Sequence, residues 1–129
     1  MTTLFSRIIR GEIPCEKIHE NDTWFAFLDI RPISPGHTLV VPKFETDELF
    51  DLSADLLSQA MPFAKAIAQA IKKTVGCKRI GILVAGFEVP HAHIHLVPIN
   101  HEGELSFSLA KAATREELSS MGQRIRSAL

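Results

Sequence analysis

Two hydrophobic rhythms run along the chain, and each change of rhythm marks a change of element. Phe5-Ser6-Arg7-Ile8-Ile9-Arg10 reads as a short helix, ended by Gly11 and Pro14. Lys17 to Glu20 and Thr23 to Asp29 read as two strands of a hairpin, with Asn21-Asp22 at the turn. A loop with Pro32, Pro35 and Gly36 leads into His37 to Pro42, a third strand rich in β-branched residues. From Ser53 to Val75 the period becomes helical, and Leu57, Met61, Ala64, Ile67, Ala68 and Ile71 form one apolar stripe. Ser53 is placed to cap that helix, Lys72 and Lys73 suit its last turn, and Gly76 ends it. Period two returns over Arg79 to Ala85 and over His91 to Asn100, around a bend at 86–90. A last helix, about 114–128, opens on a Thr114/Glu117 capping box and lines Leu118, Met121 and Ile125 along one side.

The predicted order is α-β-β-β-α-β-β-α. Short meandering strands with one long helix indicate an α+β fold with a mostly antiparallel sheet of about five strands. The 129 residues make one domain, long enough to bury roughly two thirds of its unfolded surface.

Composition adds mainly exclusions. At 46% hydrophobic and 22% charged the chain is ordinary for a soluble globular protein. A net charge of −1 supplies no global field to draw in nucleic acid or an anionic membrane, so any bound phosphate must be held at a local site. Cys15 and Cys77 form no CxxC pair and suggest no disulfide framework. No apolar run approaches the ~20 residues that span a bilayer, and the first residues lack the pattern of a signal peptide. The expectation is a cytoplasmic protein with neither nucleic-acid nor membrane partners.

The pattern is most unusual at His91-Ala92-His93-Ile94-His95. In extended backbone these imidazoles share one face, roughly 6.5–7 Å apart, while Ala92, Ile94 and Leu96 pack on the other. Three readings follow. Two of the histidines can hold a metal ion, with a further ligand from His37 or His101. One can act as a nucleophile toward phosphorus, since a neutral imidazole held at one nitrogen presents a lone pair at the other. Its neighbours then stabilise phosphate charge. Or all three face solvent and do no chemistry.

At these residues the chain resembles the histidine triad (HIT) family, whose signature is His-φ-His-φ-His-φ-φ with φ apolar; His91 to Val97 matches every place. The resemblance extends, in family order, to Phe5–Pro14, Ala26–Pro32 and Pro35–Lys43. It implies a HIT-like half-barrel antiparallel sheet with one long helix and terminal helices, and a homodimer built by the long helix and the strand before the triad. It implies attack on the α-phosphorus of a purine nucleotide (an AMP or GMP moiety) by His93, with a nucleotidyl-histidine intermediate released by water. His91 shapes the site and orients His93 through its backbone, His95 contacts the phosphate, and His37 completes the polar cluster. Phe5, Ile8, Phe27, Asp29 and Ile30 are implied for the base and ribose, and Gly86 for backbone approach to the phosphate. Apolar walls suit a purine, and a carboxylate can accept both ribose hydroxyls. Because the third histidine is present, the resemblance favours hydrolysis of nucleoside phosphoramidates or dinucleoside polyphosphates over the transferase branch, which has Gln there.

Two departures matter. Many bacterial members carry a structural zinc on an N-terminal CxxC, a later histidine and the first triad histidine; here those positions are Thr3, Ser6 and Glu45. The expectation is therefore no metal and no cofactor. Before the triad, Phe87 stands where Gln is usual and Glu88 where Ser is common. That loop motivates an alternative, a purine-nucleotide-binding regulatory module with little turnover.

Overall fold

The computed structural model describes residues 2–129. Helix α1 (Leu4–Ile9) precedes strands β1 (Lys17–Glu20), β2 (Trp24–Leu28) and β3 (Thr38–Pro42). Helix α2 (Ala54–Val75), strands β4 (Arg79–Leu83) and β5 (Ile94–Ile99), and helix α3 (Arg115–Ala128) follow. Single 3-10 turns lie at Leu49–Asp51, Glu102–Glu104 and Phe107–Leu109. The expected order therefore stands, and Thr114 and Glu117 cap α3 reciprocally.

The five strands form one antiparallel sheet in the order β1-β2-β3-β5-β4. β2 and β3 are buried at every position, which explains why they read as continuous apolar runs. On one face, Trp24, Ala26, Leu28, Val40, Ile94 and Leu96 meet α2 in the main core. On the other, Phe25, Phe27, Leu39 and Val41 gather with Phe5 of α1 in a second cluster. The triad histidines rise from this second face. α3 packs on α2 and the end of β1, with Ile125 fully buried.

Two sequence expectations need correction. The strand expected over His91–Asn100 begins only at Ile94. Continuing its ladder would set Ala92 opposite Pro42, which has no N–H to give. The Pro42 carbonyl instead accepts from the His91 ring, and Ala92 N–H donates to the Thr46 carbonyl at 2.7 Å. His91 to His93 are thus a lead-in outside the ladder, bent at His91 and held by side chains and loops.

The apolar stripe of α2 is also rotated. Ala60, Phe63, Ala64, Ile67, Ala70 and Ile71 are buried, Leu57 and Ala68 are half-buried at the edge, and Met61 is exposed. The i, i+3, i+4, i+7 set starting at Ala60 turns the large Phe63 ring inward, and Met61 then falls outside the stripe. No helix is long and apolar enough to cross a membrane among the described residues.

Candidate active site

His91 is buried and held at both ring nitrogens. Its Nε2 lies 2.8 Å from the Pro42 carbonyl, which can only accept, so the proton sits on Nε2. Nδ1 must then accept, and the Thr3 hydroxyl donates to it at 2.7 Å. Thr3 is the N-cap of α1, and its oxygen also accepts from Ser6 N–H at 3.0 Å. One hydroxyl thus ends a helix and fixes a ring tautomer. Burial lowers the pKa of His91, and the Pro42 hydrogen bond opposes that shift.

His93 is oriented by its neighbour's backbone. Its Nδ1–H donates to the His91 carbonyl at 2.7 Å, which leaves the Nε2 lone pair facing out. Phe5 presses edge-on against this ring, with centroids 5.0 Å apart.

His37 and His95 form a second relay. Ile33 N–H donates to His37 Nδ1 at 2.9 Å, so His37 carries its proton on Nε2 and donates it to His95 Nδ1, also at 2.9 Å. His95 keeps an Nε2–H as its free donor. Burial pushes His37 down to about 4. Burial, and then the nearby His37 and His93, push His95 down to about 3. Both rings therefore stay neutral at physiological pH. Of the sequence candidates, His37, His91, His93 and His95 come together, with Asp29 3.7 Å from His37. His101 does not: it is exposed and packs into its own turn with Glu104.

Asp29 is half-buried. Its Oδ1 accepts from Arg31 N–H at 2.9 Å, which fixes the turn after β2. Burial raises its pKa, and that hydrogen bond partly offsets the rise. Phe5 and Phe27 touch edge to face at 5.4 Å and are buried together, so they close on each other and form a floor. Ile8 packs at the margin of the same cluster, whereas Ile30 is exposed and lines a separate recess with Cys15, Ala113 and Leu118 of α3. Gly86 holds a left-handed φ of 85°, and a Cβ there would touch nothing, so its backbone is open to approach.

Two residues escaped the sequence reading. Thr3 was visible only as a zinc position that had lost its cysteine, although Thr3-x-x-Ser6 is itself a helix-start signal. Phe107, from the 3-10 turn after β5, sets its ring edge to face on His95 at 4.9 Å. Nothing in the sequence pattern around it pointed to the site.

The residues do not suit a metal. At the family's zinc position His91 has both nitrogens committed, and Thr3 and Ser6 bring hydroxyls where thiolates would bind. Asp29, His37 and His95 do place ligand atoms within 4.8 Å of one another. There, however, the His37 proton lies between the two nitrogens that a metal would need.

The HIT domain family matches residues 10–102. An adenosine 5'-monophosphoramidase of Saccharomyces cerevisiae is 40% identical over 100 residues, covering 77% of this chain and 63% of the yeast protein. The chain therefore spans less than two thirds of that relative's length. An adenosine 5'-monophosphoramidase of Schizosaccharomyces pombe is 32% identical and covers 98% of both chains. Among solved structures, a HIT-like protein from Bartonella henselae superposes with a TM-score of 0.87 at 32% identity, over 99% of this chain and 96% of that one. A zinc-bound histidine triad protein from Mycobacterium smegmatis gives 0.83 at 29% identity, over 99% and 93%.

Proposed function

The chain belongs to the HIT domain family, and on that footing we propose that it hydrolyses nucleoside phosphoramidates through a nucleotidyl intermediate on His93. One observation carries the reading. His93 Nδ1–H is pinned to the His91 carbonyl, and His91 is itself pinned at both ring nitrogens, so His93 Nε2 is aimed without further ordering.

In the first step His93 Nε2 attacks the α-phosphorus. The P–N bond breaks, its electron pair stays on nitrogen, and the amine leaves after taking a proton from solvent. The nucleotidyl-imidazolium keeps its Nδ1–H on the His91 carbonyl, which supports the positive charge. The neutral His95 Nε2–H, its far side fixed by His37, donates to a phosphate oxygen. Water then attacks phosphorus, the P–Nε2 bond breaks, and a nucleoside monophosphate and a proton are released.

On the nucleoside side, Phe5, Ile8, Phe27 and Ile30 support the purine and Asp29 Oδ2 accepts the ribose hydroxyls; the contact of Phe5 with the His93 ring and of Asp29 with His37 supports this. β4 is an edge strand with Ile82 exposed, as is Val84 just after it, which supports a homodimer. Two unpaired cysteines support a reducing, cytoplasmic compartment.

Rapid quench of protein mixed with adenosine 5'-phosphoramidate should trap AMP on His93, and His93→Ala should lose at least about a thousandfold in rate. A His93→Ala variant as fast as wild type overturns the mechanism. The departures at Phe87 and Glu88 favour the binding-module reading instead if wild type binds AMP tightly and turns over no phosphoramidate.

A further inference from the structure

We infer that Arg115, on the C-terminal arm of the chain, reads the base of the bound nucleotide and selects guanine over adenine. The inference rests on the nucleotide site proposed above and names the base that it takes.

The arm lies outside the family domain, whose match ends at residue 102. Residues 110–113 run back as a strap along the turn that follows Asp29. Ala113 N–H donates to the Ile30 carbonyl at 3.0 Å, and Lys111 N–H donates to the Pro32 carbonyl at 3.2 Å. Asp29 holds the Arg31 N–H of that same turn. At the other end of α3, Ile125 is fully buried and Arg126 donates to the Glu16 carboxylate and the Lys17 carbonyl, both at 2.6 Å. Arg124 donates to the Thr74 carbonyl at 3.0 Å. α3 is thus tied down at both ends, and Arg115, its first residue, stands on a fixed backbone close to Ile30.

The floor of the nucleoside side leaves the base one direction to take. Phe5 and Phe27 close on each other, so a purine cannot enter between their rings. A nucleotide with its phosphorus at His93 and its ribose at Asp29 carries its base outward, over Ile30. There a recess of about 450 Å³ opens, the size of a small-molecule site. Its apolar walls are Pro14, Cys15, Ile30 and Leu118. Cys15 also packs against the second cluster, as Ile8 does, so the recess borders that floor.

The charged groups of the recess decide between the purines. Glu16 is already paired with Arg126, whereas Arg115 has no ion pair among the described residues. A guanidinium can only donate hydrogen bonds. Guanine offers O6 and N7, two adjacent acceptors that match the guanidinium fork, while adenine offers N7 beside a 6-amino donor. Arg115 therefore bonds guanine twice and meets an opposing donor on adenine. A bidentate contact of this kind corresponds to roughly tenfold in affinity.

The test compares the 5'-phosphoramidates of guanosine, inosine and adenosine, with binding of GMP, IMP and AMP followed by calorimetry. For wild type, kcat/KM should be about tenfold higher for guanosine than for adenosine. Inosine keeps O6 and N7 but lacks the 2-amino group, and it should match guanosine. The monophosphates should bind in the same order. Arg115→Ala should bring the guanosine-to-adenosine ratio to about one. Arg115→Gln, whose amide pairs with adenine at N6 and N7, should take it below one. Equal values for the two bases in wild type overturn the inference, and so does an unchanged ratio in Arg115→Ala. Inosine behaving like adenosine puts the discrimination at the 2-amino group and also overturns it. Selective binding of GMP that is lost in Arg115→Ala, with no hydrolysis of any phosphoramidate, overturns the hydrolase reading and leaves the base selection standing. Hydrolysis of all three at one rate does the reverse.

Discussion

Thr3 and His91 lie 88 positions apart, yet a 2.7 Å hydrogen bond between them helps set the geometry of His93, the proposed nucleophile. Removing the Thr3 hydroxyl leaves His91 Nδ1 buried without a donor, a loss of about 1–3 kcal/mol. Thr3→Val also frees His91 to rotate or change tautomer, which loosens the carbonyl that holds His93. Urea denaturation should show the stability loss, and kcat should fall more than KM changes. Thr3→Ser keeps the oxygen and should restore both. An unchanged kcat in Thr3→Val would limit the hydroxyl to capping α1. Asp29 gives a second prediction at this scale. Because its Oδ1 holds the turn through Arg31 N–H, Asp29→Asn keeps that bond while removing the charge offered to a ribose. KM for adenosine phosphoramidate should rise about tenfold and differ little for the 2',3'-dideoxy substrate, as a steady-state comparison would show.

At the scale of elements, the sequence pattern carried the order and type of every helix and strand but misplaced features that depend on partners. The phase of α2 turned on which face the sheet accepts, and that is decided by the packing of Ala60, Phe63, Ala64, Ile67, Ala70 and Ile71 in the core. The start of β5 turned on Pro42, whose missing N–H matters only once β3 and β5 are neighbours. Phe5 and Phe27 read as two walls around a base, whereas their rings meet each other, because contact between α1 and β2 is tertiary. The triad itself was legible because alternation is a local property of extended backbone. The Gly36 turn before β3 tests how tightly the elements are fitted. Gly36 has φ +99°, and a Cβ there would lie 3.0 Å from Val75 Cγ2 at the end of α2. Gly36→Ala combines backbone strain with that clash and should cost about 1–3 kcal/mol. A thermal melt would detect it, and an unchanged midpoint would mean that the α2 terminus moves aside freely.

For the whole molecule, the buried imidazoles tie stability to pH. His37 and His95 titrate at about 4 and about 3 in the fold, against 6.5 for an ordinary imidazole. Between those values the unfolded chain binds protons that the folded one does not, so stability rises with pH and is lost on acidification. The loss begins as pH falls below 6.5 and ends near 4 for His37 and near 3 for His95. Each group contributes a slope of up to about 1.4 kcal/mol per pH unit within its window. His91, also lowered by burial, adds in the same direction. Asp29 works the other way: burial raises its pKa, so the fold takes up that proton earlier than the unfolded chain and offsets part of the loss at the acid end. Urea midpoints measured from pH 8 to 4 should therefore be flat above about 7 and fall steeply below 6. His37→Gln should flatten that fall by removing one titrating ring and, with it, one of the neighbours that add to burial in holding His95 down. A midpoint constant down to pH 4.5 would mean that these histidines are solvated in the fold, and the neutral donor proposed at His95 would fall with it.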